Sequence, residues 1–248
     1  MSGEDPLKLL SVNIEGKRHL DKINNLIDRI KPDVLCMMEV FEDDAKDFAK
    51  KVGGQYQFGN MFYKEVKRED HLKTEYRNFG IAIISNLEKN NERKEYYFRD
   101  IENIKIYRQG IFTDLAMVVL SADFKKGDSS FRIATTHFCK SENGVADNFQ
   151  KEHIGGLMNS LENLSELVVC GDFNAPRGME IFEIISSKYK DNIDPKYETS
   201  LDANLHRAGY LPYMVDGLFS TPEYEIKNMY FETGVSDHYA IVADVIKR

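Results

Sequence analysis

The chain has 248 residues, 42% of them hydrophobic and 30% charged, and a formal net charge of −8. That apolar share supplies a sizeable core and excludes a disordered chain. The acidic balance argues against a protein whose main work is to track long duplexes through many phosphate contacts. The longest unbroken apolar run, Leu115 to Leu120, is far short of the ~20 residues of a membrane helix, so no span is expected. The opening MSGEDPLKLL lacks the basic and long apolar parts of a secretory signal. Residues 1–6 are expected to form a loose tail on one domain spanning 1–248, because no repeat, low-complexity tract or Gly/Ser/Pro linker divides the chain. Cys36, Cys139 and Cys170 are odd in number and have no CxxC spacing. They read as buried reduced thiols of a cytoplasmic protein, and no His/Cys cluster has the spacing of a zinc site.

LKLLSV (Leu7 to Val12) predicts a buried strand, and Leu20, Ile23, Ile27 and Ile30 then recur at helical spacing up to Pro32. Val34 to Met38 predict a second strand. Phe41, Ala45, Phe48 and Val52 predict a second helix that ends at Gly53-Gly54. The densest charge run, Lys64 to Arg77, mixes both signs and reads as a solvated loop or a helix face. Further on, FGIAIIS, LAMVVL, FRIATT, LVVC, MVDGLF and AIVADV all read as strands. Helical spacing returns at Phe149, Ile154, Leu157, Leu161 and Leu164, and again at Met179, Phe182 and Ile185. Interleaved strands and helices, with enough strands for antiparallel pairs as well, predict an α/β protein of mixed sheets with helices outside.

The informative feature is what borders these strands. LKLLSV runs into Asn13, DVLCMM into Glu39, FRIATT into His137, and LVVCG into Asp172 with Asn174 two residues on. Asp237-His238 precede the last strand. Ligands of α/β sheets bind at strand ends, where loops gather such groups. Taken singly, Asn13, Asp172 and Asn174 could be turn or cap residues, Glu39 a surface carboxylate, and His137 a satisfied buried histidine. Asp216 is harder to dismiss. A carboxylate inside the apolar MVDGLF needs a histidine, an arginine or backbone donors to offset its desolvation. Together, Glu39 and Asp237 are hard oxygen ligands suited to magnesium, and the two histidines suit acid/base work near neutral pH.

At these residues the chain resembles a known family. SVNIEG, MMEV, NFGIAIIS, TTHF, GDFNAPRG, VDGLF and SDHYAIVADV are similar, in order, to motifs of the endonuclease/exonuclease/phosphatase superfamily. DNase I, abasic-site endonucleases, neutral sphingomyelinases, inositol polyphosphate 5-phosphatases and deadenylases belong to it. The resemblance implies a DNase I-like four-layer α/β/β/α sandwich, with two mixed sheets face to face and helices outside. It also implies roles. Glu39 is the principal magnesium ligand, with Asn13 beside the metal and Asp237 completing or supporting it. Asp172 and Asn174 position the nucleophilic water and the phosphate. His238 is general base or transition-state stabiliser, oriented by Asp216, and His137 contacts the scissile phosphate. Asn13, Asn174 and His137 thus also bind substrate. NIEG resembles the NIDG of tyrosyl-DNA phosphodiesterase 2 and puts Glu15 where that group has an acidic residue near the metal. TTHF departs from the abasic-site endonucleases, which lack that histidine. The chain has no tryptophan, so any base stacking falls to Tyr or Phe.

The implied reaction is hydrolysis of a phosphoester or phosphodiester, dependent on magnesium or manganese, with water attacking in line at a metal-bound phosphate. The substrate is a small molecule or a short nucleic-acid strand, and strong binding of long duplex is not expected. A nuclease or a DNA-end phosphodiesterase of the tyrosyl-DNA type is the alternative. A catalytically silent binding module is a remote one, since every expected catalytic position is filled.

Overall fold

The computed structural model describes residues 5–67, 74–108 and 111–248. Among them, two mixed sheets of six strands form. The first takes β1 (Leu7–Asn13), β2 (Val34–Phe41), β3 (Gln55–Lys67) and β4 (Thr74–Ser85) from the early chain. It is completed by β11 (Tyr224–Glu232) and β12 (Ala240–Lys247), in the order β11-β12-β1-β2-β4-β3. The second holds β5 (Glu88–Phe98), β6 (Met117–Lys126), β7 (Ser129–His137), β8 (Val168–Asp172), β9 (Lys190–Asp191) and β10 (Asp216–Ser220). Its order is β5-β6-β7-β8-β10-β9.

The side chains alternate as the pleat requires. Leu7 and Leu9 of β1, Cys36 and Met38 of β2, and Ile81 and Ile83 of β4 point into the space between the sheets. There they meet Leu120 and Phe124 of β6, Phe131 and Ile133 of β7, and Cys170 of β8. On the far side of the first sheet, Leu10, Val12, Leu35 and Met37 pack against α1 (Leu20–Ile30) and α2 (Glu42–Val52). On the far side of the second, Val119, Ala134, Val169 and Phe219 pack against α3 (Asn148–Glu162) and α4 (Glu180–Ser186). The layers are therefore α/β/β/α, as the resemblance implies. Both faces of the central strands are covered, which explains their near-continuous apolar runs.

Each sheet contains one parallel pair, bridged by a helix: β1-α1-β2 and β7-α3-β8. The carboxyl ends of a parallel pair lie at the same edge, so Asn13 pairs with Met38, one residue before Glu39, and His137 pairs with Asp172. β10 runs antiparallel to β8 and starts at that edge, with Asp216 opposite Asp172. β12 runs antiparallel to β1 and also starts there, just after Asp237-His238.

The charge run from Lys64 to Arg77 is corrected. Its described parts are neither loop nor helix but the ends of β3 and β4, with Lys64 opposite Arg77 and Lys67 opposite Thr74. Long polar side chains on both faces hide the alternation that marks a strand. Residues 68–73 of that run lie outside the described residues, as do residues 1–4 of the expected tail. Within that tail, Lys126 Nζ donates to the Pro6 carbonyl at 2.8 Å. The three cysteines are free and buried. No helix among the described residues is long and apolar enough to cross a membrane.

Candidate active site

The sheet edge gathers the residues named from the sequence. Asn13, 1% exposed, stands at the junction of the two sheets. Its Nδ2 donates to Glu39 Oε1 at 3.3 Å in its own sheet and to Asp172 Oδ2 at 3.2 Å in the other. His137 Nε2 lies 3.4 Å from the same Asp172 oxygen, and His238 Nε2 lies 3.8 Å from it. On the other ring nitrogen, His238 Nδ1 meets Asp216 Oδ2 at 2.7 Å. Asp237 precedes His238 in the chain, and its Oδ1 accepts from Ser236 Oγ at 3.1 Å.

Local backbone geometry aims these groups. Glu39 sits at a β-bulge, where the β2–β4 register slips between Met37 and Val40, and its φ is +54°. A bulge re-aims a side chain, and a left-handed glutamate is strained. The bulge is pinned by Gly16, whose N–H donates to the Glu39 carbonyl at 2.9 Å. In GDFN, Gly171 has φ +152°, and a Cβ there would stand 2.0 Å from the Thr136 carbonyl oxygen. Only glycine lets β8 approach β7 this closely beside His137 and Asp172. Two residues after Asp172, Asn174 turns left-handed at φ +48°. Its N–H donates to Asp172 Oδ1 at 2.9 Å, and its Nδ2 donates to the Phe138 carbonyl at 2.9 Å.

The electrostatics follow from burial. Burial alone would lower the His238 pKa, but the negative charges of Asp216 and Asp172, and the hydrogen bond to Asp216, outweigh it and raise it to about 10. Burial pushes the Asp216 carboxyl up, against the pull of the His238 charge. Burial lowers the pKa of Lys64, with Glu39 acting in the opposite direction.

Asp172, Asp216 and His238 each bring a ligand atom within 4.8 Å of one another. Asp216 and His238 already spend theirs on each other. Glu39 differs: among the described residues, no lysine, arginine or histidine lies within ion-pair distance of its half-buried carboxylate. Its single hydrogen bond there comes from Asn13. A carboxylate drawn out of water without a counter-charge is unfavourable. The Glu39 oxygens, like those of the Asp237 carboxylate, are hard donors, and that chemistry fits a hard divalent cation.

Two supporting side chains had no motif in the sequence. Gln150, 1% exposed, donates from Nε2 to the carbonyls of Cys139 at 2.8 Å and Asn174 at 3.1 Å. It ties together the loops that follow His137 and Asp172. It shares a helix face with Ile154, Leu157 and Leu161, and a glutamine on an apolar stripe was the available signal. Ser200, fully buried, accepts from the N–H groups of Val215 and Asp216 at 3.1 Å each, and so fixes the start of β10. Glu15, which the resemblance places near the metal, donates its N–H to Asn13 Oδ1 at 3.2 Å, and its carboxylate faces Arg18, His19 and Arg207.

The sequence matches the model of the Endonuclease/Exonuclease/phosphatase family over residues 10–229. The chain belongs to that family. Its members are hydrolases of phosphoester bonds. No curated protein matches by sequence. Among solved structures, the human Nocturnin catalytic domain with bound sulfate superposes with a TM-score of 0.69 at 18% identity, covering 98% of this chain and 94% of that one. D. rerio TDP2 complexed with a single-strand DNA product gives 0.67 at 13% identity, over 98% and 100% of the two chains. The mannosyl-6-phosphatase of Bacteroides thetaiotaomicron gives 0.66 at 14%, over 97% and 99%. At these identities the likeness is one of fold.

Proposed function

We propose that this protein is a phosphoesterase dependent on magnesium or manganese, acting on phosphoester or phosphodiester bonds by in-line attack of water. The observation that carries the reading is the unbroken run of contacts Glu39–Asn13–Asp172–His238–Asp216 across one sheet edge. It ends at one side on a carboxylate that has no ion-pair partner among the described residues and at the other on a histidine held by an aspartate.

Glu39 and Asp237, with Asn13 beside them, would hold the cation, and the chemistry it would supply is polarisation of a phosphoryl oxygen and stabilisation of the leaving oxygen. Asp172 is the acceptor for a proton of the attacking water. Its own position is fixed by the Asn174 N–H and the Asn13 amide. Asn174 holds the water or a phosphate oxygen without adding negative charge. Asp216 fixes the His238 ring through Nδ1 and favours its cationic form, so Nε2 faces the reacting phosphate as a donor. His137 supplies a further donor where negative charge develops on the phosphate. The buried free cysteines fit a reducing cytoplasm.

Bis-nitrophenyl phosphate should be hydrolysed with magnesium or manganese, lose that activity in EDTA and regain it on re-addition of metal. Full activity in EDTA would refute the reading. A panel of nitrophenyl phosphate, abasic duplex, single-stranded DNA, 5′-tyrosyl DNA, inositol phosphates and sphingomyelin separates a small-molecule phosphoesterase from a nuclease or DNA-end phosphodiesterase. The net charge of −8 favours the former.

A further inference from the structure

Three cations at one lip of the site have no task in the mechanism above. Glu15 turns left-handed just after β1 at φ +50° and is 8% exposed. Its carboxylate lies 3.2 Å from Arg18 Nη1, 3.5 Å from Arg207 Nη2 and 3.3 Å from His19 Nε2. Its neighbour Gly16 is the residue that pins the Glu39 bulge. Lys64 Nζ would stand 3.8 Å from a Cβ built on Gly16, and it rides 3.9 Å from the centre of the Phe79 ring. Arg18 and Arg207 therefore gather on Glu15, and Lys64 stands beside the adjoining Gly16, whose N–H holds the Glu39 carbonyl.

Their charges are in surplus. Glu15 offers one negative charge to two guanidinium groups, and its Oε1, the oxygen nearest both, has no hydrogen-bond partner. The side chains of Arg18 and Arg207 are 57% and 75% exposed. Most of their N–H donors thus face solvent at the lip, and exposed ion pairs of this kind contribute little to stability. The lip is nevertheless built. Asp202 anchors the loop of Arg207: its N–H donates to the Asp237 carbonyl at 2.8 Å. Its carboxylate accepts from Gly234 N at 2.7 Å and Asn204 N at 2.9 Å. Two guanidinium forks with free donors match the oxygens of a phosphate.

The geometry points to a second phosphate subsite: Arg18 and Arg207, gathered by Glu15 with Lys64 across Gly16, receive a phosphate of the substrate other than the one that is cleaved. The inference rests on the phosphoesterase reading and names its substrate class, esters that bear two phosphate groups. The second phosphate comes from a neighbouring nucleotide of a short strand or from a phosphorylated small molecule.

The test compares a 5′-phosphorylated dithymidine dinucleotide, fructose 1,6-bisphosphate and nitrophenyl phosphate with the full chain and magnesium. Arg18→Gln and Arg207→Gln should each raise KM for at least one of the doubly phosphorylated substrates about tenfold relative to their effect on nitrophenyl phosphate, equivalent to ~1.4 kcal/mol. The rise in KM should exceed any fall in kcat, and Arg207→Lys should recover part of it. Equilibrium binding of the same two doubly phosphorylated ligands to His238→Ala protein, with and without Arg207→Gln, reads the subsite without turnover. Loss in both arms supports a general phosphate subsite, and loss for one ligand alone supports it and identifies the source. Equal KM effects on singly and doubly phosphorylated substrates, with unchanged binding, would overturn it. Failure to hydrolyse any phosphoester would instead defeat the phosphoesterase reading, while the binding arm still decides the subsite.

Discussion

Replacing Asp216 with asparagine separates a working aspartate from a structural one. The side chain keeps its size but loses its charge, and the 2.7 Å contact with His238 Nδ1 changes from a charged to a neutral hydrogen bond. A hydrogen bond to a charged group contributes about 1.5–3 kcal/mol, a factor of roughly 10–150 in rate at ~1.4 kcal/mol per tenfold. The ring orientation that places Nε2 near Asp172 is loosened as well, and general acid/base contributions run to ~10²–10⁴. Asp216→Asn should therefore lower kcat about 10²-fold or more. Stability should behave differently. Burial penalises the ionised Asp216 carboxyl, so a neutral amide of the same shape should leave Tm almost unchanged, and metal affinity should change little. The assay is kcat on bis-nitrophenyl phosphate at saturating magnesium, alongside a thermal melt. His238→Ala should cost at least as much, and the double variant should fall far short of the product of the two losses, since the pair acts as a unit. A wild-type kcat for Asp216→Asn, or fully multiplicative losses, would show Asp216 to be a structural carboxylate.

Further outcomes follow from the same geometry. Both Glu39→Ala and Glu39→Gly should abolish metal-dependent activity and stay folded. The glycine variant should melt no lower than the alanine variant, because φ +54° costs a residue with a Cβ about 1–2 kcal/mol that glycine avoids. A clearly lower Tm for glycine would show that the bulge is not strained. Binding to long duplex DNA should be weak at ~0.15 M salt, since a chain of net charge −8 neutralises few phosphates. Nanomolar affinity in a fluorescence titration would overturn this and favour the nuclease reading. Asp123 gives a pH signature away from the site. Burial pushes its carboxyl up, but hydrogen bonds from Arg132 and Asn91 outweigh it and hold it below the ordinary range. A depressed folded pKa contributes stability above the unfolded value near ~3.9, lost as pH falls through the folded one. The Tm advantage of wild type over Asp123→Asn should therefore be present at pH 7 and shrink below about pH 4. An advantage independent of pH would exclude the charge as its origin.

The parts of the fold that were legible in the sequence are those where burial leaves a mark. Central strands such as LKLLSVN and VLCMMEVF are covered on both faces and read as apolar runs. Amphipathic helices such as Leu20–Ile30 show their single buried face. β5, EKNNERKEYYF, was not legible. It lies at a sheet edge and is largely exposed, so its pairing with β6 is a matter of backbone hydrogen bonds that charged side chains neither reveal nor oppose. β3 hides in the same way past Tyr63, and β11 carries a register shift between Lys227 and Tyr230 that breaks its alternation.

The site was legible for a topological reason. Both parallel pairs end at one edge, and both antiparallel partners begin there, so polar residues that terminate or precede apolar strands meet in space although Asn13 and Asp172 are 159 positions apart. Strand-end position is written in the sequence, and the residues that hold the strand ends are not. Gln150 reaches the site from the first turn of α3 by bonding two carbonyls, and Ser200 reaches it from an irregular loop by bonding two amides. Neither contact needs a particular neighbour in sequence. Glu15 makes the same point for charge. Its side chain is close in sequence to Asn13, yet its partner Arg207 comes from 192 positions away, between β9 and β10. A motif can therefore locate the reacting edge, but the lip that selects what is brought to it depends on loops whose meeting only the folded chain defines.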